Sequence, residues 1–315
     1  MLRNLVVILL LVGGNSLTTA AQPREPAAQW FARGQQRLER DDFDGAIADF
    51  TKVIVLNVAR SDDDKRRTRS EFNDAPPTDA VTFVSPLVAA AYGSRGLARY
   101  RKGQLAEAIA DCDRALALNP GLTQVYTNRG VMLWVKGDLD SALADFNRVI
   151  KAQPNNAPAY ENRGNLLFDK GDLAAALTDI ERAIALDPRK AAFYSSRGQV
   201  RQEIGEIEGG LADCDHAISL EPNLPRASYC RGTALYAKGN FVGAAAAFKK
   251  ATQLDPSLAE AHGNLGATLL RLGQDAEAEK AFAECIRLDP SAQAKLERFR
   301  REARNPAREI GRAHV

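Results

Sequence analysis

Four consecutive residues, Asp213-Cys214-Asp215-His216, are of the types that bind metal ions or transfer protons. Consecutive residues of a helix point around most of its circumference, so these side chains cannot converge on one ion. The segment Gly93-Ser94-Arg95-Gly96 lacks the spacing of a turn that presents a serine nucleophile. The sequence also contains no phosphate-binding glycine loop and no zinc-type cysteine pairing. We therefore predict no catalytic residues, no metal site, no cofactor and no enzymatic activity.

The segments that contain these residues belong to a sequence pattern that repeats every 34 residues. Prolines return at this spacing as Pro120, Pro154, Pro188, Pro222, Pro256 and Pro290, and glycines as Gly96, Gly130, Gly164, Gly198, Gly232 and Gly266. A second set of glycines keeps the same spacing, from Gly103 to Gly273. A single globular core imposes no such period, whereas stacked two-helix units do, because each unit buries its apolar face against its neighbours.

Residues 123–156 show the unit most clearly, with two predicted helices that meet at Gly137. Gly130 lies inside the first helix, where glycine costs about 1 kcal/mol relative to alanine. Its recurrence predicts a close helix crossing without room for a Cβ. The unit resembles the tetratricopeptide repeat (TPR) at Tyr126, Gly130, Ala142, Phe146, Val149 and Pro154. This resemblance implies an all-α fold, a right-handed superhelical solenoid of helix–turn–helix units.

The resemblance divides the chain into seven repeats, in which we call the first helix A and the second helix B. Repeat 1 spans residues 27–60, with Asp41 at the turn-glycine place and Val58 at the proline place. Repeats 2 to 7 follow without gaps over 89–292, and repeat 7 has His262 where an aromatic residue is typical of the family. The repeats are 89–122, 123–156, 157–190, 191–224, 225–258 and 259–292.

An arginine precedes most of the helix-A glycines, and an aspartate recurs in helix B. If the pairs formed within a repeat, Arg231 would face the apolar Ala247. If each helix-B residue instead met helix A of the next repeat, Ala247 would meet the apolar Leu265. We therefore predict buried or half-buried ion pairs between successive repeats, with solvated charges as the alternative. The predicted inter-repeat pairs are Asp111 with Arg129, Asp145 with Arg163, Asp179 with Arg197, and Asp213 with Arg231.

The two ends and one insertion depart from the period. Residues 1–21 have the basic, apolar and small-residue regions of a signal peptide, so we expect export, to the periplasm if the host is Gram-negative. An uncleaved membrane anchor is the alternative. We predict a charged, proline-broken surface loop at 61–88 and a capping helix at 293–308. Residues 309–315 resemble a translated sequencing adapter, and we expect them to be an artefact.

The net charge limits the kinds of partner that the chain attracts, and the cysteines are interpreted from their places in the repeat. The formal net charge of +2 provides no general attraction to nucleic acid, and we expect no small-molecule substrate. Contact with a membrane is expected only if residues 1–21 remain attached. The cysteines Cys112, Cys214 and Cys285 stand where the repeat places buried apolar residues, so these three are predicted to be buried hydrophobes. The alternative is a disulfide between Cys214 and Cys230, which lie on facing helices of adjacent repeats.

In TPR proteins helix A lines the concave face, so the resemblance implies a partner-binding groove there. Aromatic rings supply contact area and amides satisfy the backbone of an extended peptide. Glu161, Asp169 and Glu203 favour a partner segment that carries Lys or Arg. The alternative is that the rings pack between repeats. The predicted partner-binding residues are Tyr100, Asn128, Trp134, Asn162, Asn165, Phe168, Gln199, Gln202, Tyr229 and Tyr236.

These observations predict a non-catalytic protein–protein interaction scaffold of the cell envelope. A second hypothesis is that the chain is the repeat half of a longer enzyme or sensor, and the reading frame beyond Arg308 would distinguish the two. A third is self-assembly through the ends of the solenoid.

Overall fold

The computed structural model describes residues 26–56, 86–294, 296–297 and 300, and these residues form helices and short turns without a strand. The predicted signal peptide, residues 61–85 of the predicted loop and the tail from 301 onward lie outside the described residues. The chain separates into two compact units between Asn162 and Arg163. We refer to the described residues before this division as the N-terminal unit and to those after it as the C-terminal unit.

The N-terminal unit contains three helix pairs, which correspond to repeats 1 to 3. The helices are α1 (Pro26–Glu39), α2 (residues 43–56), α3 (Pro86–Arg101), α4 (Leu105–Leu118), α5 (Thr123–Lys136) and α6 (Leu139–Ala152). Helix α3 begins three residues before the predicted repeat, so the last residues of the predicted 61–88 loop form its first turn. Pro86 is compatible with a helix start, and Val88 is buried in the cluster that contains Phe50 of α2.

The C-terminal unit continues the alternation, with odd-numbered A helices and even-numbered B helices. Helix α7 (Ala157–Asp169) contains the point of division. The following helices are α8 (Leu173–Leu186), α9 (Ala191–Glu203), α10 (Ile207–Leu220), α11 (Pro225–Ala237), α12 (Phe241–Leu254), α13 (Ala259–Arg271) and α14 (Asp275–Leu288). The prediction of an all-α repeat fold is confirmed for the described residues.

The turn between helices A and B requires a left-handed residue. Gly137 has φ 89° and forms the C-cap of α5. The side chain of Asp138 then caps the N-terminus of α6, where it accepts a hydrogen bond from the backbone N–H of Ser141 at 3.3 Å. Asp41 takes the glycine place in repeat 1 and also has a positive φ, of 58°. The turn therefore keeps its conformation even where its glycine is replaced.

Each repeat has its core where helix A crosses helix B. A Cβ at Gly130 would lie 2.8 Å from the ring of Phe146, which is fully buried. The predicted close crossing is thus confirmed, since the ring of helix B occupies the space that a side chain at Gly130 would need. Gly232 meets Phe248 in the same way, at 2.6 Å.

The described residues after α14 cover the end of repeat 7. A short 3-10 helix (Pro290–Ala292) leads into helical residues, among which Leu296 is buried against the cluster of Phe282 and Cys285. Arg300 donates to Glu279 at 2.7 Å and stacks on the Phe282 ring. The capping helix over 293–308 stays a prediction, because Phe299 and residues 301–308 lie outside the described residues.

Candidate functional site

Bidentate arginine–aspartate pairs connect helix A to helix B of the same repeat. Arg129 donates from Nε and Nη2 to the two carboxylate oxygens of Asp145, at 2.8 and 2.7 Å. The same bidentate contact joins Arg95 to Asp111. The aspartates are buried, as predicted, whereas the predicted inter-repeat pairing is wrong. The observed pairs are Arg33 with Asp49, Arg95 with Asp111, Arg129 with Asp145, Arg163 with Asp179, and Arg197 with Asp213.

Arg231 explains why the prediction failed. Its partner within the repeat is replaced by Ala247, and Arg231 instead donates to Asp215 of the preceding repeat at 2.7 Å. Arg129 has the equivalent second contact, to Asp113 at 2.6 Å. An arginine at this position therefore reaches a carboxylate on either side. Leu265, which follows in repeat 7, packs against the cluster of Ala247 and Phe248, as the sequence pattern predicts.

A second arginine that the sequence analysis overlooked strengthens some of these pairs. Arg99 donates to Asp111 at 2.7 Å and Arg201 donates to Asp213 at 2.8 Å. Each lies one helical turn after the first arginine, and this spacing in the sequence was the available signal. In repeat 3 the place is taken by Leu133, so Asp145 depends on Arg129 alone among the described contacts. Hydrogen bonding to Asp145 raises the pKa of Arg129 above its ordinary value.

The predicted partner-binding residues of the N-terminal unit lie at different depths. Tyr100, Asn128 and Trp134 are half-buried, whereas Asn162 is buried. Burial raises the pKa of Tyr100. Asn128 accepts a hydrogen bond from Gln124 at 3.2 Å on its own helix. The exposed parts of Tyr100 and Trp134 remain candidates for contact with a partner.

In the C-terminal unit several predicted binding residues also support the fold. Tyr229 packs on Phe248, with ring centroids 5.8 Å apart, and its hydroxyl accepts a hydrogen bond from Asn264 of the next helix A at 3.0 Å. Burial raises the pKa of Tyr229. Tyr236 packs edge-on against Phe241, with centroids 5.2 Å apart. Phe168 packs against the core cluster of α8. These rings therefore pack mainly against residues of their own repeats, whereas the alternative in the sequence analysis placed them between repeats.

Two amides remain available for binding. Asn165 in α7 and Gln199 in α9 occupy the same position of successive repeats and are half-buried. Neither side-chain amide has a hydrogen-bond partner among the described residues. Exposed Asp169 and Glu203 lie near the ends of the same two helices, whereas Glu161 is buried. The side-chain amides of Asn165 and Gln199 are therefore available for contact with a partner.

Gln202, also predicted to contact a partner, is bonded internally. Its Nε2 donates to the backbone carbonyl oxygen of Cys230 at 3.2 Å, and its Oε1 accepts from Thr233 at 2.6 Å. The structure joins Cys230 to Cys214 by a disulfide, with Cα atoms 5.7 Å apart. The prediction that Cys214 is a free buried hydrophobe is therefore wrong, and the disulfide to Cys230, which was the alternative in the sequence analysis, is observed. The two cysteines are 16 residues apart, like Asp215 and Arg231 in the same two helices.

The other two cysteines fit the prediction of buried hydrophobes. Cys112 and Cys285 are free and buried. Burial raises the pKa of the Cys112 thiol to about 12. A thiol with such a pKa is not a nucleophile near neutral pH.

The described part of the chain has neither a metal-binding cluster nor a membrane-spanning helix. It contains no group of three or more His, Cys, Asp or Glu side chains that could hold a metal ion. None of its helices combines the length and the apolar character that a membrane span requires.

The repeat geometry defines a helical-repeat protein, and sequence comparison identifies its family. Tetratricopeptide repeat models match residues 89–122, 123–156, 146–178 and 259–292, and a TPR repeat model matches 164–205 and 232–273. The chain belongs to the tetratricopeptide repeat family. No curated protein matches it.

Several solved structures share the fold. A tetratricopeptide repeat protein from Parabacteroides merdae is 15% identical, with a TM-score of 0.67 over 90% of this chain and 100% of its own. PilF of Pseudomonas aeruginosa is 17% identical, with a TM-score of 0.53 over 68% of this chain and 97% of its own. A thermophilic TPR protein of Thermus thermophilus is 24% identical, with a TM-score of 0.51 over 56% of this chain and 96% of its own. At these identities the likeness shows the fold alone.

Proteins of this family are in general protein-interaction scaffolds that bind protein or peptide partners, and they are typically non-catalytic. The chain has the architecture of that class.

Proposed function

We propose that this protein is a non-catalytic adaptor of the cell envelope that binds an extended segment of another protein along its A helices. The proposal rests mainly on the amides of Asn165 and Gln199. They occupy equivalent places of adjacent repeats, and neither is used by the described part of the fold. A peptide backbone presents N–H and C=O groups that such amides can satisfy.

The charge of this surface favours a basic partner segment. Asp169 and Glu203 are exposed near the ends of α7 and α9. Carboxylates near a binding surface raise the rate of encounter with Lys- or Arg-containing partners more than they raise the affinity. The binding of such a partner should therefore weaken as the salt concentration rises.

Two observations support placement in the envelope. Residues 1–21 have the composition of a signal peptide, and Cys214 is bonded to Cys230. Disulfides persist in oxidising compartments such as the periplasm and are rare in the cytosol. Fusion of the N-terminal residues to a reporter phosphatase that is active only after export tests this placement, and an inactive fusion would exclude it.

Affinity capture with matched variants tests the binding surface. Wild-type protein, the double variant Asn165→Ala plus Gln199→Ala, and the control Val242→Ala would be incubated with envelope extract. Val242 is an exposed apolar residue of α12, which is a B helix, so truncation of its side chain should leave the A helices unchanged. We expect the double variant to lose specific partners that the control retains, with both variants folded by circular dichroism. Equal recovery by all three proteins would refute the proposed surface.

A further inference from the structure

A cavity lies among the helices of the last two repeats, which do not contain Asn165 or Gln199. It has a volume of about 530 Å³ and is bounded by α12, α13 and α14. Helix α13 contributes Leu265 and Leu269 to its wall, and the small residues Ala245, Ala246 and Ala281 complete the apolar part. Its size is within the range of ligand-binding cavities in proteins.

The cavity lies where other repeats place an ion pair. Leu265 stands at the position of Arg197 and Arg231, and Ala281 stands at the position of Asp213. In repeat 5 the guanidinium of Arg197 occupies this place and is bonded to Asp213 at 2.8 and 2.7 Å. Replacement of both partners by shorter apolar residues removes the side chains that fill the space.

The charge around the cavity is also more positive than at the equivalent places of other repeats. Lys249 lines it from α12, at the position where the preceding repeat has Asp215. Lys280 lines it from α14, where the other repeats have alanine or threonine. Both lysines are exposed and neither forms an ion pair with a described residue. The mouth of the cavity thus gains two unneutralised cations.

The carboxylates at the rim offset these cations only in part. Both oxygens of Glu284 accept hydrogen bonds from Arg287, at 2.9 and 2.5 Å, so this group is already neutralised. The exposed carboxylate of Glu277 offsets one of the two lysines, so an excess of positive charge remains at the mouth. The described residues after α14 pack elsewhere, since Leu296 and Arg300 contact the side of Phe282.

We propose that this cavity is a second docking site, for a partner-protein segment that inserts one bulky apolar side chain between α12 and α14. A carboxylate next to that side chain would contact Lys249 and Lys280. The apolar wall provides the area that an inserted side chain buries, and the cations select an acidic segment. The site lies outside α7 and α9, which carry Asn165 and Gln199, and it favours a partner segment of opposite charge.

Selection from a phage-displayed library of random peptides tests the proposal. Wild-type protein would be the target, and the double variant Leu265→Arg plus Ala281→Asp would deplete the library beforehand. That variant restores the arginine and aspartate of the other repeats and should fill the cavity with its own ion pair. We expect the surviving peptides to combine a large apolar residue with Asp or Glu, and to bind wild type in fluorescence anisotropy.

Neighbouring lysines provide a matched control. Lys249→Glu should weaken the selected peptides about tenfold, because it replaces attraction at the mouth by repulsion. Lys250→Glu makes the same charge change on the adjacent residue, which does not line the cavity, and should change the affinity by less than about twofold. Equal weakening by the two variants would overturn the proposal, as would survivors rich in Lys or Arg, or no survivors at all. A dimer of wild type that the double variant abolishes would show that a second copy is the occupant instead.

Discussion

Replacement of Arg129 by leucine should destabilise the protein more than the same change at Arg95. Both arginines donate two hydrogen bonds to a buried aspartate 16 residues later, at 2.7 to 2.8 Å. Both also stack on a tyrosine ring, at 5.2 Å for Arg95 and 5.5 Å for Arg129. They differ in what remains after the change, because Asp111 keeps Arg99 whereas Asp145 keeps no partner among the described residues.

The expected magnitudes follow from that difference. A buried carboxylate left without a partner costs about 3 to 5 kcal/mol, so Arg129→Leu should lower the free energy of unfolding by about 3 kcal/mol. Arg95→Leu removes two charge-assisted hydrogen bonds but leaves Asp111 neutralised by Arg99, and about 1 to 2 kcal/mol is expected. The double variant Arg129→Leu plus Asp145→Ala reproduces the leucine and alanine of repeat 7. It should recover about 2 kcal/mol, since the stranded charge is removed.

Urea unfolding followed by circular dichroism measures these differences. The slope with urea concentration must be compared among the variants, because repeat proteins can unfold in parts. Equal destabilisation by Arg129→Leu and Arg95→Leu would refute the argument that a second arginine protects the aspartate. A double variant less stable than Arg129→Leu would show that the packing of the arginine side chain matters more than the stranded charge.

Three further predictions concern the cysteines and a tyrosine. Replacement of both Cys214 and Cys230 by alanine should lower the free energy of unfolding by about 3 kcal/mol under oxidising conditions, because the disulfide closes a short loop; urea unfolding that is unchanged would contradict a bond between them. Native Cys112 should resist iodoacetamide at pH 8 and react only after unfolding, and rapid native labelling would show that the thiol is accessible. Burial raises the pKa of Tyr229 in the folded protein. The neutral side chain therefore contributes stability below the ordinary tyrosine pKa of about 10, and this contribution is lost as the pH rises through the higher pKa of the folded state. Tyr229→Phe should therefore lose less stability than wild type between about pH 9 and 11, and identical pH profiles would contradict this.

The repeat period made most of the local architecture predictable. The turn at Gly137, the close crossing at Gly130 and the unusual Asp41 all follow from the chemistry of single residues at fixed places. Such features are local, so a sequence pattern determines them without knowledge of the neighbouring repeats.

Contacts between helices were less predictable. An arginine at the Arg129 position can reach aspartates 16 residues before and after it, so residue types alone do not reveal which pair forms. The same offset brings Cys214 to Cys230, and their disulfide was only an alternative in the sequence analysis because the contact of Asp215 with Arg231 was not foreseen. The cavity beside Leu265 was not predictable, because the sequence does not show whether neighbouring side chains close the space.

Site-specific photo-crosslinking in cells shows whether a partner protein binds along the A helices. A photoreactive amino acid would replace Gln199 on the A-helix surface, Lys249 at the cavity or Val242 on helix α12 as a control, in cells that express the full chain. We expect Gln199 to cross-link to one partner protein and Val242 to give no adduct. Adducts from Val242 with the same partner and yield, or none from Gln199, would contradict binding along the A helices.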